Sequence, residues 1–153
     1  MITKKILLLI VCITFITISF TPDAVNAASC TGQQCNSLNP YSTGCDENKS
    51  VLSSYTRQVQ DGEGVWRTVY VIYLYRSNTC ETKYAETKNF MYNAYINATL
   101  KYYYYSYNTS TLPPGEIVTS GMRYNLATGY ACGSHNLVTP ISGMVYSPCT
   151  GGG

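Results

Sequence analysis

The sequence predicts an all-β domain, a small antiparallel sandwich or barrel stapled by disulfides, with a Cys-rich N-terminal loop segment. Three observations carry that expectation. Short runs of β-branched and aromatic residues alternate with Gly, Pro and Asn turn signals. No long segment repeats apolar residues at the helical spacing. Seven cysteines stand in 153 residues, and one of them, Cys12, falls in an apolar leader, leaving an even six for pairing.

Residues 1–27 read as an export peptide. Lys4 and Lys5 supply the positive start, residues 6–20 the apolar middle, and Val25 and Ala27 the small side chains before Ala28. The apolar run has 15 residues, Thr14, Thr17 and Ser19 among them. That is short of the roughly 20 needed to span a bilayer, so no membrane span is expected once the leader is removed. Lipid attachment at Cys30 is a second reading of Ala27-Ala28-Ser29-Cys30. It is disfavoured because Ala27 stands where such boxes carry a larger aliphatic, and because five cysteines would remain. The expected organisation is a removed leader (1–27), a single secreted domain (28–150) and a disordered Gly tail (151–153).

Without the leader, 126 residues remain, with eight Lys+Arg against seven Asp+Glu. A net charge of +1 without a basic cluster argues against nucleic acid, because neutralising several phosphates requires a concentrated positive patch. Cys30, Cys35, Cys45, Cys80, Cys132 and Cys149 are expected to form three disulfides, with 15 connectivities open. Zinc is the competing use of these thiols. Cys30-x4-Cys35-x9-Cys45 is not a paired C-x2-C knuckle, and the single His135 lies far along the chain, so no metal or cofactor is expected.

Residues 28–50 read as a compact loop held by its own cysteines, with turns at Asn39-Pro40 and Thr43-Gly44. Residues 51–60 suit either a short helix or a strand. Asp61-Gly62-Glu63-Gly64 marks a turn. Residues 65–75 (VWRTVYVIYLY) are nearly all β-branched or aromatic and predict a central strand buried on at least one face. Residues 89–96 and 99–107 predict two further strands with a hairpin turn at Asn97-Ala98. Pro113-Pro114-Gly115 breaks the chain, and residues 116–119, 122–125 and 130–132 are short strand candidates. Ser120-Gly121-Met122-Arg123-Tyr124 is echoed by Ser142-Gly143-Met144-Val145-Tyr146, read as two similar edge strands pinned by similar staples.

The cysteine segment also carries a resemblance. Cys30-Thr31-Gly32-Gln33-Gln34-Cys35, then Asn39-Pro40 and Thr43-Gly44-Cys45, resembles the C-x-G-x-x-C…[DN]-P…T-G-C opening of a secreted bacterial family of unknown function. That family is typified by YjfA-like proteins of Bacillus and actinobacterial homologues. Leu74-Tyr75-Arg76-Ser77 with Cys80-x3-Tyr84-Ala85, and residues 119–124 with Ala131-Cys132-Gly133, agree in order. The family usually carries Trp where this chain has Tyr84. The resemblance implies export and a cysteine framework, and no activity.

No catalytic residue is expected. His135 is the sole imidazole and reads as a loop residue in Gly133-Ser134-His135-Asn136, with no nucleophile marked beside it. The seven acids include Asp61, Glu63, Glu81, Glu86 and Glu116, and nothing in the sequence opposes two of them. The conspicuous feature is Lys101-Tyr102-Tyr103-Tyr104-Tyr105-Ser106-Tyr107. On one strand, Tyr103, Tyr105 and Tyr107 would share a face, with Tyr102 and Tyr104 opposite. Such a face either braces a sheet or offers rigid aromatic surface to a sugar or a protein. The expectation is a secreted, non-enzymatic binding domain for a cell-wall polymer or an extracellular protein, with Tyr102, Tyr103, Tyr104, Tyr105 and Tyr107 as ligand-binding residues. The alternative is a secreted hydrolase or inhibitor built on Asp46, Glu47 and His135 in the Cys-stapled loops.

Overall fold

The computed structural model describes residues 27–90, 94–102, 105–108, 115–124, 128–137 and 148–153. Most of the leader, Tyr103, Tyr104, Pro113-Pro114 and the second Ser-Gly-Met-x-Tyr copy lie outside the described residues. The architecture is all-β, antiparallel and stapled by three disulfides. Among the described residues there are eight strands: β1 Lys49–Gln60, β2 Trp66–Ser77, β3 Thr82–Asn89, β4 Ala94–Tyr102, β5 Tyr105–Asn108, β6 Ile117–Thr119, β7 Arg123–Tyr124 and β8 Tyr130–Leu137. The first sheet runs β1-β2-β3-β6, with β7 pairing the other end of β3, and the second runs β5-β4-β8.

The β-branched, aromatic run of β2 makes it an interior strand, as expected, though Trp66 and Arg67 at its start are exposed and burial begins at Val69. Its alternation sorts two environments. Tyr70, Ile72 and Leu74, with Ala85 of β3, pack on Ile96, Ala98 and Leu100 of β4 and Ala131 of β8. This is the core between the sheets. Gly133 of β8 sets how closely they approach, because a Cβ there would stand 2.9 Å from Ile72 and from Thr87 Oγ1. The odd-numbered residues Tyr73 and Tyr75 point the other way, where Tyr75 and Tyr84 join Cys30, Cys35, Cys45, Cys80 and Met122 in a second cluster. β2 and β3 are thus covered on both faces, by the second sheet and by the Cys-rich segment, while β1 is largely exposed.

Several expectations are corrected. Asn97-Ala98 is no turn but the middle of β4, paired with Ser134 and Gly133. Asn97 is accommodated because its carbonyl accepts from Thr87 Oγ1 at 2.9 Å and its side chain from Thr99 Oγ1 at 2.8 Å. The tyrosine run is not one strand. Tyr102 pairs with Tyr105, so the chain reverses between them and the simple alternation of faces does not hold. His135 lies in strand β8, in register with Ile96, and not in a loop. Residues 51–60, open between helix and strand, fall in β1, and β3 is a strand the sequence pattern did not mark. The Gly tail runs beside Gly129: Gly129 and Gly153 exchange backbone hydrogen bonds at 3.3 Å, and Lys83 Nζ donates to Gly153 O at 2.6 Å.

The disulfides are Cys30–Cys35, Cys45–Cys80 and Cys132–Cys149, enclosing separations of 5, 35 and 17 residues. Loop-closure entropy then assigns them about 2, 4 and 3 kcal/mol. Cys45–Cys80 is the strongest constraint.

Two outcomes follow. Reduction of all three bonds should lower the thermal midpoint, and an unchanged midpoint in dithiothreitol would contradict the stapled core. Gly133→Ala should cost about 1–3 kcal/mol in urea unfolding by overpacking. Gly62→Ala, where an added Cβ meets nothing within 4 Å, should cost far less.

Candidate functional site

The Cys-rich segment is ordered by local hydrogen bonds before it meets the sheet. Asn39 Oδ1 accepts from Tyr41 N at 2.9 Å, Thr43 Oγ1 donates to Asn39 O and Pro40 O at 3.0 Å, and Cys45 N donates to Pro40 O at 2.9 Å. Asn39-Pro40 and Thr43-Gly44 therefore form the expected turns, with Gly44 at φ +71°. The segment is then tied across: Gly32 N donates to Cys80 O, Ser37 N to Met122 O and Tyr124 N to Asn36 Oδ1.

This layer carries Tyr41 over β3. Tyr41 Oη donates to Glu86 Oε2 at 2.8 Å, and Lys49 Nζ, at the start of β1, lies 3.2 Å from the same oxygen. Lys49 Nζ also lies 4.4 Å from the Tyr75 ring centroid and 5.1 Å from that of Tyr41. Glu86 is only 4% exposed. A carboxylate buried to that degree is tolerated because it accepts from a phenol and an ammonium. Tyr84 is fully buried and stacks on Tyr75 at 5.4 Å, which on this chain makes the Tyr84 position a core position. Its hydroxyl is buried with no hydrogen-bond partner.

Burial, and then the Glu86 carboxylate, raises the phenol pKa values of Tyr41, Tyr75 and Tyr84, with Tyr75 pushed up to about 12. All three stay neutral at physiological pH. At the far tip of the β1–β2 hairpin, Arg67 Nε donates to Asp61 Oδ2 at 2.8 Å and, with the backbone donors of Val65 and Glu63, holds that carboxyl below its usual range.

Tyr41 also lines a pocket, about 450 Å³ in the full chain, together with Ser29, Ser42, Thr43, Asp46 and Glu47; Ala27, the last residue of the export-type leader, closes part of it and leaves with that leader. Tyr41 is exposed, its hydroxyl is held by Glu86, and hydroxyl side chains and two carboxylates share the lining. Such a lining can stack on a ring and exchange hydrogen bonds with ligand hydroxyls. The sequence grouped Asp46 and Glu47 with His135. The structure brings the two acids to this pocket and sets His135 on β8 in the second sheet. Of the tyrosine run, Tyr102 is half-buried, and the Arg123 guanidinium lies 5.9 Å from its ring centroid. Tyr105 and Tyr107 sit in β5, opposite Tyr102 and Leu100. The Tyr41–Lys49–Glu86–Tyr84 cluster was missed by the sequence reading. No local sequence signal marks it, because its members come from the Cys-rich loop, β1 and β3.

Comparison with family models, curated proteins and solved structures returned no match.

Tyr84→Phe removes a buried hydroxyl that has no partner, so it should be neutral or stabilising by up to about 1 kcal/mol in urea unfolding. With phenol pKa values raised in the folded state, the unfolded chain ionises first. The stability these groups supply is full below about pH 10 and is lost as pH rises toward about 12. Urea midpoints across that range, followed with phenolate absorbance, should fall together, and a midpoint flat through that range would contradict the burial.

Proposed function

We propose that this chain is a non-enzymatic extracellular binding domain that holds a polyhydroxylated cell-envelope polymer at the Tyr41 pocket. One observation carries the reading: Tyr41 is 45% exposed and lines the pocket while its hydroxyl is locked on Glu86 and Lys49. An aromatic platform held rigid in the free protein loses little side-chain entropy on binding, and the neighbouring Ser42, Asp46 and Glu47 offer acceptors to sugar hydroxyls. The export-type leader and the three disulfides favour an oxidising compartment. The described residues contain no helix long and apolar enough to cross a membrane. The likeness of the cysteine segment to the YjfA-like secreted family points the same way.

Co-sedimentation with purified cell-wall sacculi, with and without teichoic acids, tests the reading. The oxidised protein should pellet saturably, and Tyr41→Ala should weaken binding about tenfold, the worth of one lost aromatic platform. Tyr102→Ala, on the second sheet, should leave it unchanged. Loss with Tyr102→Ala alone would move the site to the β4–β5 hairpin. No pelleting of a folded sample would overturn the ligand class.

A further inference from the structure

The sequence spacing argues against a metal knuckle, but the fold gathers four of the six cysteines. Cys30, Cys35, Cys45 and Cys80 are buried, and their four sulfurs all lie within 4.8 Å of one another. The fourth member comes from the β2–β3 turn, 35 residues beyond Cys45, which is why the N-terminal spacing alone does not display a four-cysteine set. The two disulfides lie side by side, with Cys30 Sγ 3.8 Å from Cys45 Sγ across the unbonded gap. At a Zn–S bond of about 2.3 Å, tetrahedral geometry puts neighbouring sulfurs about 3.8 Å apart. The unbonded pair already stands at that separation. The bonded pairs would open by less than 2 Å, within the reach of χ1 rotation, as their S–S bonds are cleaved.

We propose that, in the reduced chain, Cys30, Cys35, Cys45 and Cys80 form a tetrahedral tetrathiolate site for one zinc-class divalent cation. The same four sulfurs thus hold the Cys-rich layer on the first sheet in two ways, as two disulfides under oxidising conditions or through one metal ion under reducing conditions. The balance is simple. Two disulfides become four thiols by taking four electrons and four protons, either from two dithiols, which become disulfides, or from two phosphines and two waters, which become two phosphine oxides. The cation displaces four protons as four metal–sulfur bonds form, leaving a site of net charge −2. Soft thiolate donors and a closed, buried set of four select zinc, cadmium or cobalt(II) over calcium or magnesium. This inference does not depend on the ligand assigned to the Tyr41 pocket.

The test uses the whole purified chain, reduced with a phosphine without oxygen, with and without one equivalent of zinc(II), then desalted. Metal content and peptide-mapped alkylation are read together. The expected result is one retained zinc per chain, with Cys30, Cys35, Cys45 and Cys80 protected while Cys132 and Cys149 alkylate. Cobalt(II) in place of zinc should give the intense visible bands of a tetrahedral tetrathiolate site. Cys45→Ser and Cys80→Ser should each abolish retention, and the Cys132→Ser/Cys149→Ser double variant should keep it. A reduced chain that retains no metal, folded or not, overturns the proposal. So does retention that survives loss of Cys45 and Cys80, or that follows Cys132, Cys149 or His135.

Discussion

The Cys45–Cys80 bond is the constraint on which the rest of the structure depends. It joins the end of an irregular N-terminal segment to the β2–β3 turn, and it closes the longest of the three loops. Segment 28–48 has no strand ladder of its own; its backbone bonds are turns and a few contacts to Cys80 and Met122, and the Asn36 side chain accepts from Tyr124 N. A layer of that kind has little local free energy holding it in place. The covalent tie offsets the missing ladder by removing conformations from the unfolded chain.

Because the segment is held there, β2 and β3 have two covered faces and two different interiors. Toward the second sheet the interior is aliphatic, with Ile72, Leu74, Ile96 and Leu100 packed over Ala98 and Ala131. Toward the Cys-rich layer it is aromatic, sulfur-rich and partly polar. Glu86 belongs to the second interior, and Tyr41 and Lys49 make its burial tolerable. The fixed Tyr41 hydroxyl is thus a structural necessity for Glu86 and, at the same time, the device that orients the exposed ring at the pocket. The burial of Glu86 and the orientation of the Tyr41 ring come from one interaction.

The all-β class, the interior strand β2 and the turns around Asn39, Gly44 and Asp61 were legible because each rests on local chemistry. So was the pairing of six cysteines, though not their connectivity, which is a property of the folded chain. β3 was not legible. Its sequence, TKYAETKN, is polar, and its burial is explained only by partners far away: Thr82 on Met122, Glu86 on Tyr41 and Lys49, Thr87 on the Asn97 carbonyl. Asn97 was misread for the complementary reason, since a residue that favours turns is satisfied inside a strand by two threonines. The tyrosine run misled because a period of two describes a strand only while the chain continues, and here it reverses. The Tyr41 cluster joins residues from three separate elements, so no local pattern announces it.

The Cys-rich segment is a separately tied layer whose attachment brings Tyr41 onto Glu86. Native-state hydrogen exchange on the Cys45→Ala/Cys80→Ala double variant tests it most directly. The account predicts that amides in 28–48 lose protection while those of β2, β3, β4 and β8 keep theirs. Unchanged protection throughout 28–48 would contradict it, as would uniform loss of protection across both sheets.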